Sequence, residues 1–142
     1  MTITIRILLA FLFIENLVVG AWNATFPESF YLNFPTVDLT PPFSEHYARD
    51  FGGALLGVTL LLGIALVKPR THFVVPAAAA YSLFAIPHFF YHLANLQNAT
   101  VGQAILLTTF NAVVALAGLL IIVLAVLRDR RALPSAPVTR SY

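Results

Sequence analysis

The sequence predicts an all-α membrane protein: a bundle of four transmembrane helices with a short interfacial segment in a long outer loop. Three observations carry this prediction. Of the 142 residues, 59% are hydrophobic and only 10% are charged, whereas a soluble domain is about half apolar and about a quarter charged. Mean hydropathy is +0.85. Four long apolar runs stand in the chain, and none shows the ~10-residue alternation of barrel strands. A helix satisfies its backbone hydrogen bonds internally, so a helical bundle is the structure that such runs form across a bilayer. Helices are expected at about 5–22, 44–67, 73–95 and 101–127, within one domain of residues 1–132. Residues 133–142, rich in Pro, Ser and Thr, read as a disordered cytoplasmic tail.

The first run holds Arg6 ahead of an apolar stretch and a Val19-Gly20-Ala21 segment like a signal-peptide cleavage site. Glu15 and Asn16 interrupt it, so a retained helix is expected. Basic residues set the orientation. Arg6, Lys68, Arg70, Arg128, Arg130 and Arg131 fall on one side, and only Arg49 on the other. The positive-inside rule then places both termini in the cytoplasm, and the small, simple chain suggests a bacterial plasma membrane. With no cysteine, thiolate chemistry and disulfides are excluded. The net charge of +2 comes from bases at segment ends, which argues against a nucleic-acid partner. Membrane lipids are the expected partners, with other membrane-protein subunits or further copies of the chain beside them. The Asn-Ala-Thr triplets at Asn23 and Asn98 are too short a motif, and too near the bilayer surface, to read as glycosylation sites.

The outer loop places Phe26, Phe30, Tyr31 and Phe34 at about helical spacing between Pro27 and Pro35. This predicts a short helix on the membrane surface, either an aromatic anchor or a lid over a cavity. The second membrane helix opens after Thr40-Pro41-Pro42 with Glu45, His46, Arg49 and Asp50. In a helix, Glu45 faces Arg49 and His46 faces Asp50. Gly53 and Gly57 are expected to let this helix approach a neighbour closely, and Ala77 to Ala80 do the same on the third. On that third helix, His88 and His92 share a face one turn apart, next to Pro87 and in line with Tyr81 and Ala85. Two histidines so spaced can bind one metal ion. His72, beside Lys68 and Arg70, reads as an interfacial residue.

Glu15 lies about 10 Å inside the outer end of the first helix. A carboxylate at that depth must be protonated, paired or turned to an interior cavity. Gln103, Thr108, Thr109 and Asn111 descend from the same end of the fourth helix. Polar residues from all four helices therefore share a depth in the outer half of the bundle. Glu15, Glu45, His46, Arg49 and Asp50 are the candidate catalytic residues. His88 and His92 are candidate ligands of a zinc or iron ion, with Glu15, Glu45 or Asp50 completing the site.

Several of these residues also carry a resemblance: Glu15 with Gly20 and Trp22; Phe30-Tyr31 with Phe34-Pro35; Pro42, Glu45-His46, Arg49-Asp50 and Gly52; and Pro87-His88-Phe89 with His92. Over about residues 10–95 the chain resembles a family of small uncharacterised four-helix membrane proteins, common in actinobacteria and DoxX-like in style. Ser44 stands where the family pattern has asparagine. The resemblance implies the topology and this residue set, but no reaction. Two classes of function follow: a metal or acid–base site acting on a lipid or quinone-like molecule, or a non-catalytic accessory subunit of a larger membrane complex whose polar cluster is structural. A proton-coupled carrier of this size would have to oligomerise or supply half of a repeat pair, and no internal repeat is visible.

Overall fold

The computed structural model describes residues 1–132; the expected tail, 133–142, lies outside the described residues. Four helices are long and apolar enough to cross a membrane, so the chain is a membrane protein. They are α1 (Thr2–Thr25), α3 (Glu45–Val67), α4 (Thr71–Ala94) and α5 (Val101–Ala132). A short α2 (Pro27–Asn33) and a single 3-10 turn (Val37–Leu39) lie between α1 and α3. Around the bundle the order is α1, α3, α4, α5, and α5 closes back on α1. Each helix runs antiparallel to both neighbours, which short connections favour. α1 and α4 face each other across the diagonal and do not pack backbone to backbone.

Local chemistry sets the helix ends. Ser44 caps α3, its hydroxyl accepting from Tyr47 N–H at 3.4 Å. Serine is itself a strong capping residue. Thr100 and Gln103 form a capping box at the start of α5, with Thr100 N–H donating to Gln103 Oε1 at 2.9 Å and Gln103 N–H to Thr100 Oγ1 at 3.3 Å. Pro27 opens α2 in the first turn, where no N–H is needed. α4 stays helical through Pro76 and Pro87.

The two ends of the bundle differ. Thr2, the 69–72 turn and Arg128 gather at one end, hereafter the basic end. There Arg128 donates to Pro69 O at 2.7 Å and to Thr71 Oγ1 at 2.9 Å, tying α5 to the α3–α4 turn. His72 is exposed there, as an interfacial residue should be. The core of this half is tight and apolar, with Ile5, Leu9, Leu62, Val74, Ala78 and Ile121 fully buried. α2 and the loop up to Ser44 cover the other end. Asn98 Nδ2 donates to Leu39 O at 3.0 Å, linking the α4–α5 turn to that loop. Outward faces expose Leu60, Leu83 and Leu116, as lipid contact requires.

The glycines that bring α1 and α3 together are Gly20 and Gly52, not Gly53 and Gly57. A Cβ on Gly52 would collide with Ala24 N and lie 2.7 Å from Gly20 O. Nothing lies within 4 Å of the corresponding positions on Gly53 and Gly57. The small-xxx-small spacing is right, but it falls on an open face of α3. Asn16 reinforces the crossing, donating to Leu55 O at 2.7 Å and Thr59 Oγ1 at 2.8 Å. The expected small-residue contact on α4 does form: Ala77 and Ala78 are buried, and a Cβ on Gly118 of α5 would meet Ser82 Oγ at 2.5 Å. Gly52→Ala should therefore lower thermal stability in detergent by about 1–3 kcal/mol, the usual cost of overpacking. Gly53→Ala should leave it unchanged or slightly raised, and equal melting shifts for the two variants would contradict the assigned crossing.

Candidate functional site

Helical register divides the polar residues of the loop-covered end into two sets. On α1, Asn16 turns to α3, and the next side chain round the helix, Glu15, turns to the bundle interior. Its Oε2 accepts from the Tyr81 hydroxyl of α4 at 2.8 Å, across the bundle diagonal. Above this bond the four helices line a partly open cavity of about 700 Å³. Glu15, Tyr81, His88, His92, Asn23 and Asn111 supply its polar wall. Phe51, Phe84, Phe110 and Val114 supply much of its apolar wall.

The roof is aromatic. Phe30 is buried, and its ring stacks on Phe34 at 4.8 Å and meets Trp22 edge-on at 5.7 Å. Trp22 in turn donates to Ser29 Oγ at 3.2 Å, which fastens α2 to α1. Tyr31 packs against Phe43 at 5.1 Å. α2 thus turns Phe30 and Tyr31 into the protein over the cavity, leaving Phe26 and Leu32 exposed. This differs from a belt whose rings all face the membrane surface: the spacing that suggests a surface helix also gives α2 an inward face. α2 packs on α1 and α3 but on neither α4 nor α5. Thr36, at the cavity wall, holds a left-handed backbone with φ of 74°. That conformation is strained for a β-branched residue.

The second set of residues does not reach the cavity. Glu45, His46, Arg49 and Asp50 form both expected pairs, Arg49 to Glu45 at 2.8 Å and His46 to Asp50 at 3.3 Å. Their side chains are nonetheless open, with His46 91% and Asp50 69% exposed. α3 presents Ser44, Tyr47, Ala48 and Phe51 to the cavity, and the charged residues occupy the other stripe. Arg49 has a structural partner, donating to Ala24 O at 2.8 Å and so satisfying a carbonyl at the C-terminal end of α1. Of the candidate catalytic residues, Glu15 is the one that lines the cavity.

Nor do the residues assemble a metal centre. His88 and His92 adjoin as expected, with ring centroids 4.4 Å apart and edge to face. Among the described residues, however, no group of three or more His, Asp or Glu side chains is placed to hold a metal ion. Glu45 and Asp50, the expected co-ligands, lie outside the cavity, so the donor set does not fit zinc or iron. His92 is buried, and its Nδ1 has no hydrogen-bond partner.

On α5 only Asn111 of the expected polar residues is buried at the cavity, while Gln103 serves as a cap and Thr109 is exposed. Tyr81 is the residue that the sequence reading passes over. It appears there only as part of the histidine stripe, although a buried tyrosine about two and three turns below two histidines is a ready donor for a carboxyl on a facing helix. Asn23 is another, 5% exposed and part of the cavity wall, which leaves no room for a glycan.

Comparison with family models, with curated proteins and with solved structures gives no match.

The chain has no cysteine, so single cysteines report accessibility cleanly. His46→Cys and Asp50→Cys should react with a membrane-impermeant maleimide at least about tenfold faster than Asn23→Cys, in line with their exposure. Comparable rates at the three positions would contradict the division of the polar residues into two sets.

Proposed function

We propose that the protein binds a lipid-soluble molecule in the cavity and holds its polar end against the Glu15–Tyr81 pair, with His88 as a second acid–base group nearby. The observation that carries this is a single cavity of about 700 Å³ in which aromatic walls meet a carboxyl, a phenol and imidazoles. Its size falls within the ~300–1,000 Å³ typical of small-molecule sites. Mostly apolar lining with a few convergent polar groups is the usual composition of such sites. Carboxyl and imidazole groups in a water-poor setting are suited to moving a proton to or from a bound head group.

The positive-inside rule supports placing the basic end in the cytoplasm, with the cavity under the opposite surface of a bacterial plasma membrane. Because α2 packs on neither α4 nor α5, the gap between them is the natural entry from the surrounding leaflet. The resemblance to DoxX-like proteins agrees with this topology and adds no chemistry.

A small apolar photoprobe, 3-trifluoromethyl-3-(iodophenyl)diazirine, tests binding without regard to head-group chemistry. In lipid nanodiscs it should label Phe30, Phe34 and Phe84 saturably. Leu60, Leu83 and Leu116 should be labelled in linear proportion to probe, as lipid-facing positions. Saturable labelling confined to the outward leucines, or none in α2 and α4, would overturn the reading.

A further inference from the structure

The polar wall of the cavity holds a carboxyl and several free acceptors, and among the described residues no lysine or arginine stands beside them. Glu15 spends Oε2 on Tyr81 and keeps Oε1 free. The Tyr81 hydroxyl directs its hydrogen at Glu15, leaving its lone pairs. Asn111 donates one amide hydrogen to Leu107 O at 2.9 Å, inside its own helix, which leaves its carbonyl oxygen and its second N–H for a ligand. Three groups on three helices therefore offer acceptors at one cavity. The base closest in sequence to the site, Arg49, is committed to Glu45 and to the Ala24 carbonyl outside the cavity. The roof and its loop, residues 26–44, contain Glu28 and Asp38 and no base.

We infer that the cavity selects lipids ending in an uncharged hydrogen-bond donor, a lipid alcohol, and rejects the same tail ending in phosphate. This rests on the binding reading above and narrows it to a ligand class. A hydroxyl donates to one of the free acceptors and brings no charge into a low-dielectric site. A phosphate brings at least one negative charge to a place that already holds a carboxyl and offers no cation.

Trp22 is the only tryptophan in the chain, and it packs on Phe30 and Phe34 of the roof. Its emission therefore reads occupancy. Full-length protein in phosphatidylcholine nanodiscs would be titrated with geranylgeraniol, geranylgeranyl phosphate and geranylgeranylamine, which share one tail. The alcohol should give a saturable change with an apparent Kd at least about tenfold below that of the phosphate, equivalent to about 1.4 kcal/mol.

Equal or tighter binding of the phosphate overturns the ligand class while leaving the cavity reading intact. An amine that binds more than tenfold tighter than the alcohol also overturns it, in favour of a cation cage of carboxyl and rings. If no probe changes Trp22 emission and none displaces the apolar photoprobe, the cavity reading itself fails. Glu15→Gln keeps an acceptor for Tyr81 and removes the charge, so the alcohol-to-phosphate ratio should narrow at least threefold. An unchanged ratio overturns the role given to Glu15.

Discussion

A carboxyl group within a membrane helix has few tolerable environments, and Glu15 occupies one that determines much of the structure around it. Its hydrogen bond to Tyr81 joins α1 to α4, two helices whose backbones do not approach each other. Below the bond, apolar side chains from all four helices interlock. Above it the diagonal stays open, and the space becomes the cavity. Inter-helix hydrogen bonds in membranes are modest, about 0.6 kcal/mol on average and up to about 1.7. The importance of this one is positional: it fixes where packing ends and the chamber begins.

The Gly20–Gly52 crossing is the complement of that bond. With no side chains between them, the backbones of α1 and α3 approach until Gly52 lies against Ala24 and Gly20. Asn16 bonds to Leu55 and Thr59 across the same contact. Arg49 then satisfies the carbonyl of Ala24 just above. One side of the bundle is thereby rigid and tight, and it bears the α2 roof through Trp22 and Ser29. The other pair, α4 and α5, meets the roof segment through Asn98 and Leu39. A cover attached firmly to one helix pair and lightly to the other is suited to admitting a ligand from the side.

Much of this was legible in the residues, and the failures share a cause. Four helices, the two charge pairs on α3, the inward turn of Glu15 and the adjacency of His88 and His92 all follow from hydropathy and the 3.6-residue repeat. Depth was also readable, since polar residues do gather at one end. Facing was not. Glu45, His46, Arg49 and Asp50 stand at the expected level, but on the stripe of α3 turned away from the cavity. Which stripe faces inward is decided by where Gly52 meets α1, a contact between segments that the spacing of Gly53 and Gly57 mimics. The aromatics of α2 were recognised, yet an anchor and a roof have the same period. Tyr81 was seen and left without a role, because its partner lies 66 positions away in the chain.

A double-mutant cycle on Glu15→Leu and Tyr81→Phe measures the bond across the bundle diagonal most directly. Each single change removes the bond, so the double variant should lose less stability than the two singles summed. The expected coupling is about 1 kcal/mol, within the range for hydrogen bonds between membrane helices. Losses that add within about 0.3 kcal/mol would mean that the two side chains do not act on each other, and the floor of the cavity would have to be sought elsewhere.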